Sequence, residues 1–173
     1  MIAGLRIRDE VVADHAVITG LVRVAFAPMP FSDANDYLIT GALRSTGDLT
    51  LSLVAELQGN VIGHVAFSPV VIGLLSGWFG LGPIAVAPDW QRRGIGRALV
   101  VAGLGRLTAM GAAGCALIGN PAIYGRFGFH SDGRPTHAGL PPHLVQWQAL
   151  RAGPTPEGAL QFAAAFGPEA SAG

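Results

Sequence analysis

The chain has 173 residues with 11 basic and 11 acidic side chains, a formal net charge of zero and a pI near 7.0. That balance argues against a dedicated nucleic-acid binder or a protein bound to an anionic membrane, although it leaves room for a local basic patch. Half of the residues are hydrophobic and 13% are charged, which predicts one globular domain over residues 1–167, large enough to bury a core, and a frayed tail at 168–173.

The single cysteine, Cys115, cannot form an internal disulfide, and the N-terminal stretch MIAGLRIRDE lacks an apolar leader. Both point to a cytoplasmic protein. Residues 5–8 read as a first strand, with Ile7 between arginines. Asp14 is placed to cap a helix running to about Phe26, with Val17, Ile18, Leu21, Val22 and Ala25 near helical spacing. Pro28 and Pro30 break it, and Ser32 or Asp33 can cap a second helix through Tyr37, Leu38, Ala42 and Leu43. Residues 49–57 and 61–71 read as a hairpin around Gln58, Gly59 and Asn60. Pro69 has no N–H to give a ladder and implies a bulge, an edge or a strand end.

Residues 70–87 carry no charge and are long enough to be weighed as a membrane span. Gly73, Gly77, Gly80, Gly82 and Pro83 speak against it, since each glycine costs a helix about 1 kcal/mol and an interior proline about 3. Two strands joined near residues 73–77 fit better, the second having its ladder interrupted at Pro83. A helix follows over about 94–110, weakened by Gly103 and Gly105 and ended by Gly111 or Gly114. Residues 115–119 read as a buried strand with Cys115 as a small core residue, 121–127 as a short helix, and Phe129 as the opening of another strand. From Ser131 the chain is rich in Gly and Pro, with 144–151 and 159–166 as late strands that can pair with each other.

One stretch organises this order. Ile84, Ala85 and Val86 end a strand, Pro88 and Asp89 signal a turn, and Gln91-Arg92-Arg93-Gly94-Ile95-Gly96-Arg97 leads into a helix. The first N–H groups of a helix have no partner within it and carry partial positive charge, so a phosphate placed there meets aimed donors. Gly94 and Gly96 remove the Cβ atoms that would hold a ligand off the backbone, and Arg92, Arg93 and Arg97 add charge. A P-loop is excluded, because it ends in Gly-Lys-Ser/Thr and the chain has no lysine. A dinucleotide fingerprint would need a third glycine where Leu99 stands.

The pattern Gln-x-x-Gly-x-Gly after an Ile-Ala-Val strand resembles the acetyl-CoA pyrophosphate loop of the GNAT acyltransferase superfamily, and Gln91, Gly94 and Gly96 match it. A second segment, from Ile118 through Asn120 and Tyr124 to Gly128 and Phe129, resembles the next GNAT segment, which ends in Tyr-x-x-x-Gly-Phe. It is similar to that of predicted bacterial N-acetyltransferases with Tyr-Tyr-x-Arg-Phe-Gly-Phe, and Ile123 stands at the first of the two tyrosines. The resemblance covers about residues 5–166. It implies an α+β GNAT (acyl-CoA N-acyltransferase) fold with a mixed central sheet of six to seven strands flanked by about four helices. It also implies acetyl-CoA as co-substrate without a metal, a small-molecule or peptide amine as acceptor, no nucleic-acid or membrane partner, and a homodimer by analogy.

The resemblance further implies roles for particular residues. The turn amides between Arg92 and Arg97, Ile95 included, would anchor the pyrophosphate, and the backbone of Ile84, Ala85 and Val86 would pair with the pantetheine. The Val86 N–H would polarise the thioester carbonyl. Tyr124 would be the general acid for the departing thiolate, since a phenol is protonated at neutral pH. Asn120 would either contact the cofactor arm or cap a helix. Met29, Phe31 and Tyr37 are pocket candidates or ordinary core. No carboxylate lies on residues 78–86, and the base stays open between Glu56, His64 and a water relay, with His130, His137 and His143 having weaker claims. The expected activity is transfer of an acetyl group to a primary amine, and the alternative is a non-catalytic acyl-CoA-binding module of the same fold.

Overall fold

The computed structural model describes residues 2–29 and 35–167. Ser32 and Asp33, read as helix caps, Phe31, read as a pocket candidate, and the tail 168–173 lie outside the described residues. The fold is α+β, with a mixed, mostly antiparallel sheet and four α-helices among the described residues, as expected. The sheet has eight strands rather than six to seven. The addition is β6 (Pro135–Thr136), too short for any periodicity to announce it. Contacts gather into two compact units, Met1–Phe67 with Gly82–Gly103 and Ser68–Leu81 with Leu104–Gly173, and strands β3 and β4 contribute to both.

In the first unit, β1 (Arg6–Asp9) pairs antiparallel with β2 (Leu51–Leu57), which pairs antiparallel with β3 (Asn60–Ile72) from Leu51↔Phe67 to Leu57↔Asn60. The β2–β3 turn places Gln58 and Gly59 at φ of 50° and 81°, the left-handed pair that matches strand twist in a two-residue hairpin. Helix α1 (His15–Phe26) buries Ile18, Leu21, Val22 and Ala25 against Val54 and Ala85. Asp14 precedes that helix as predicted, yet its side chain does not cap it. The carboxylate instead accepts from the Val11 N–H at 2.8 Å and pairs with Arg8. Helix α2 (Ile39–Thr46) turns Thr40 and Leu43 inward.

Helix α3 (Ile95–Ala109) lies on β3 through two glycines. A Cβ on Gly63 would stand 3.0 Å from Ile95 Cγ2 and 3.1 Å from Leu99 Cδ1, and a Cβ on Gly103 would overlap the ring of buried Phe67. Eight helical residues rise ~12 Å and four strand residues ~13 Å, so 95–103 and 63–67 keep step.

In the second unit, β4 (Leu75–Val86) pairs parallel with β5 (Gly114–Ile118) from Trp78↔Gly114 to Gly80↔Ala116 and no further. β5 pairs antiparallel with β7 (Val145–Ala149) along its whole length. The two late strands do not pair with each other as expected. β8 (Gly158–Gln161) pairs with β6 and, at Val71 and Ile72, with β3. Pro69 lies inside β3, between Phe67, where the β2 register ends, and Val71, where β8 begins, so its missing N–H falls where the neighbour changes. Phe129 opens no strand, and only a single bridge, His130↔Trp147, forms there because the segment turns away into a Gly/Pro-rich run. Trp78 and Trp147 meet edge to face at 6.0 Å in a core with Val70, Ile72, Ala116, Val145 and Leu160. Cys115 is fully buried, as expected of a core residue. The uncharged run 70–87 falls in β3 and β4, and no helix among the described residues is long and apolar enough to cross a membrane.

The two interior glycines of α3 should respond oppositely to alanine. Nothing lies within 4 Å of a Cβ on Gly105, so Gly105→Ala should stabilise by up to about 1 kcal/mol through helix propensity. Gly103→Ala should instead cost about 1–3 kcal/mol, because the overlap with Phe67 outweighs propensity. Urea denaturation of both variants checks the pair, and stabilisation by Gly103→Ala would refute the close packing.

Candidate active site

In the first unit, β4 ends at Val86 and a 3-10 turn (Pro88–Trp90) leads to α3. The Ala87 N–H donates to the Ile62 carbonyl at 2.9 Å. Backbone groups alternate along a strand, so Ala85 also faces β3, whereas Ile84 and Val86 face the other edge. Gln91 closes the turn: its side-chain N–H donates to the Val86 carbonyl at 3.0 Å. Arg92 and Gly94 carry φ of 57° and 88°, the second a position that favours glycine. Arg93 stacks over Trp90 at 5.1 Å, and Arg92, Arg93 and Arg97 are exposed.

The first backbone bond of α3 runs from the Ala98 N–H to the Gly94 carbonyl at 3.0 Å. The N–H groups of Gly94, Ile95, Gly96 and Arg97 have no backbone acceptor among the described residues. Gly96 is not required by the fold: its φ is ordinary, and the nearest atom to an added Cβ is Val86 Cγ2 at 3.9 Å. A glycine that lowers helix propensity without a steric or conformational reason inside the protein suits close approach of an external anion.

In the second unit, α4 (Pro121–Tyr124) follows β5. Asn120 is its cap, with Oδ1 accepting from the Ala122 N–H at 2.9 Å. Tyr124 packs over Gly119, where an added Cβ would stand 2.6 Å from Cε2, and meets Phe129 edge to face at 6.3 Å. Burial raises its phenol above the usual value of 10.0. The hydroxyl has no hydrogen-bond partner among the described residues, so it is not occupied in bracing backbone. The alternation of Leu117 and Ile118 is satisfied by β7, while the β4 register has already ended at Gly80↔Ala116.

The base candidates separate clearly. Glu56 is ion-paired with Arg8 at 2.7 Å and lies near Arg6 at 3.9 Å. His130 rests on the Trp147 ring, His137 is buried with Nδ1 2.8 Å from the Leu160 carbonyl, and His143 is exposed. His64 is fully buried with Nε2 2.8 Å from Ser52 Oγ. Ser52 donates to Glu10 Oε2 at 2.5 Å, and Arg44 grips Glu10 with bonds of 2.6 and 2.8 Å. The sequence reading did not single out Glu10, Arg44 or Ser52. They lie on separate elements, with no spacing that could have linked them to His64. Met29 is exposed, and Tyr37 is half-buried beneath the Arg23 guanidinium at 4.3 Å. Among the described residues no group of three or more His, Cys, Asp or Glu could hold a metal ion.

Comparison with known proteins places the chain in a family. A family model described as an acetyltransferase (GNAT) domain matches residues 48–131. The uncharacterized N-acetyltransferase YhbS of Escherichia coli is 44% identical over 125 residues, 71% of this chain and 72% of that protein. The crystal structure of a GNAT family acetyltransferase from Brucella melitensis in complex with acetyl-CoA is 41% identical, with a TM-score of 0.83 over 94% of this chain and 98% of that one. The structure of YhbS from Escherichia coli in complex with CoA is 32% identical, with a TM-score of 0.83 over 96% and 93%.

The buried charges make the first unit acid-sensitive. Burial pushes His64 from 6.5 down to about 4, so its neutral ring contributes fully above pH 6.5 and that contribution is lost as pH falls to about 4. For Glu10, burial acts upward but the Arg44 and Ser52 bonds outweigh it; for Asp14 the Arg8 bonds dominate. Both carboxyls sit below their ordinary values, and their contribution is lost at still lower pH. Urea titrations at about pH 7.5 and pH 4.5 should show a loss of order 3 kcal/mol, much of it absent in His64→Gln. Equal pH dependence in the two proteins would contradict the assignment.

Proposed function

The chain belongs to the GNAT family of N-acetyltransferases, which are acyltransferases, and from that premise we propose that it transfers an acetyl group from acetyl-CoA directly to a primary amine of a small molecule or peptide. The observation that carries this reading is the row of N–H groups at Gly94–Arg97 without a backbone acceptor among the described residues, which includes Gly96, a glycine the fold itself does not need. Those amides hold the pyrophosphate, and exposed Arg92, Arg93 and Arg97 supply charge. Gln91 fixes the turn to Val86 through its Nε2 and, being exposed, contacts the cofactor from the same place. Ile84 and Val86, whose backbone groups face away from β3, pair with the pantetheine; Ala85 is turned toward β3 and serves only by its place between them.

Acetyl-CoA supplies an activated thioester. The Val86 N–H donates to the carbonyl oxygen where negative charge develops. Tyr124, protonated at neutral pH and with its hydroxyl uncommitted, donates its proton to the departing sulfur. Asn120 positions that residue by capping α4. Direct transfer is favoured over an acyl-enzyme because the only cysteine is fully buried, with its thiol pushed above the ordinary range by burial.

Two variants test the parts separately. Tyr124→Phe should lower kcat by about 10²–10⁴-fold and leave acetyl-CoA affinity unchanged. Gly96→Ala should keep or raise the melting temperature and weaken acetyl-CoA about tenfold or more, because the methyl group stands where phosphate would approach. Calorimetric titration with acetyl-CoA, and thiol release with a panel of primary amines, read both. Binding without turnover for every amine would favour the acyl-CoA-binding module instead.

A further inference from the structure

The proposed transfer requires a group to take the amine's proton, and β4 offers no carboxylate. His64 meets that need through a hydrogen-bond chain whose direction can be worked out. The Glu10 carboxylate is held by Arg44 and can only accept. Ser52 therefore spends its one proton on Glu10, and its oxygen must accept from His64 Nε2. The imidazole is thus fixed with its proton on Nε2 and a bare lone pair on Nδ1. That Nδ1 is buried and has no hydrogen-bond partner among the described residues. A buried acceptor left without a donor costs about 1–3 kcal/mol; Thr40 Oγ1, Ser68 Oγ, Gln146 Oε1 and Gln148 Oε1 are also unpaired among the described residues, but only the His64 atom ends a chain that fixes which way its lone pair is left open.

His64 is carried on β3, beside the end of β4 in the first unit. Gly63 turns its Cα hydrogens to α3, so His64 projects from the opposite face of β3. On that face lie Ser52, Glu10 and Arg44. Two residues before His64, Ile62 accepts from Ala87, which directly follows Val86. The ring is therefore carried on the strand that borders the end of β4.

We propose that His64 is the proton acceptor for the amine, with Ser52 and Glu10 as positioning residues that hold its lone pair free; this rests on the acetyltransferase reading above. As the amine nitrogen bonds to the acyl carbon, its proton passes to His64 Nδ1, directly or through one water. The carbon–sulfur bond breaks with its electron pair going to sulfur, which takes the proton of the Tyr124 hydroxyl. The imidazolium formed is stabilised through Ser52 by Glu10, whose other oxygen lies 3.3 Å from His15 Nε2. The charged groups about the ring are thus Glu10 and Arg44, and the titratable His15 lies beside Glu10. Because burial keeps the free ring neutral at physiological pH, the base is available before the amine arrives.

The test is His64→Gln, whose side-chain N–H can still donate to Ser52 while no base remains at the Nδ1 position. Ser52→Ala is the second variant. Acetyl-CoA affinity is measured by calorimetry, and transfer is followed with hydroxylamine and a panel of primary amines. Nitrogen-15 spectra of the histidine rings report the tautomer without any turnover. The expected results are acetyl-CoA affinity within about twofold of the parent and kcat/KM lowered about 10²–10⁴-fold in His64→Gln. The parent at neutral pH should show His64 protonated on Nε2 alone, and Ser52→Ala should lose that preference. Transfer by folded His64→Gln within about threefold of the parent, or a parent ring protonated on Nδ1, would overturn the role of His64 and leave the acetyltransferase reading intact. Failure of the parent to bind acetyl-CoA, or binding with no transfer to any amine, would instead remove that reading, and the role of His64 with it.

Discussion

Phe67 occupies the space that any side chain at position 103 would need, and the first unit depends on that exclusion. With Gly63 on the strand and Gly103 on the helix, α3 comes closer to β3 than two ordinary surfaces allow. Close approach brings Ile95 and Leu99 into contact distance of the strand backbone and leaves little freedom for the helix to slide. The start of α3 is then a fixed point. Its four N–H groups without a backbone acceptor among the described residues are held in place, and donors fixed in advance lose less energy to ordering than donors that a ligand must arrange. The glycines that looked like weaknesses by propensity are what aim the helix.

The turn before α3 shows a second form of the same economy. Arg92 accepts a left-handed backbone that a bulky residue adopts reluctantly, and Gln91 ties the turn to Val86. A residue read from the sequence as a ligand contact thus also braces the turn. Loss of the Gln91 side chain would disturb the carbonyl of Val86 as well as the turn, so one substitution reaches both the start of α3 and the strand edge.

Much of this was legible in the sequence, and for a reason that can be named. The turn and the Tyr124 segment are local: strand, glycines, arginines and helix lie within one short window, and the β2–β3 hairpin announces itself through Gln58 and Gly59. Cys115 and the uncharged run 70–87 were also readable, because burial and helix-breaking residues leave composition signals. What could not be read was whatever depends on distant residues meeting. The late strands 144–151 and 159–166 looked like partners because they are neighbours in sequence, yet β7 joins β5 and β8 joins β3 and β6. Asp14 looked like a helix cap, but Arg8 and Val11 offered its carboxylate stronger bonds.

The His64 chain is the clearest case of that limit. Its four members come from the end of β1, from α2, from β2 and from β3, and each alone has an unremarkable role: a loop glutamate, a helix arginine, a strand serine, a buried histidine. Only the fold makes them directional. Arg44 forces Glu10 to accept, Glu10 takes the Ser52 proton, and Ser52 fixes the proton of the ring. A core histidine kept merely for packing has no need of such a chain, because a leucine or methionine would fill the volume without leaving a buried acceptor unpaired. The cost of an uncommitted Nδ1 is borne in the folded state, and a proton-accepting role is what gives that cost a function.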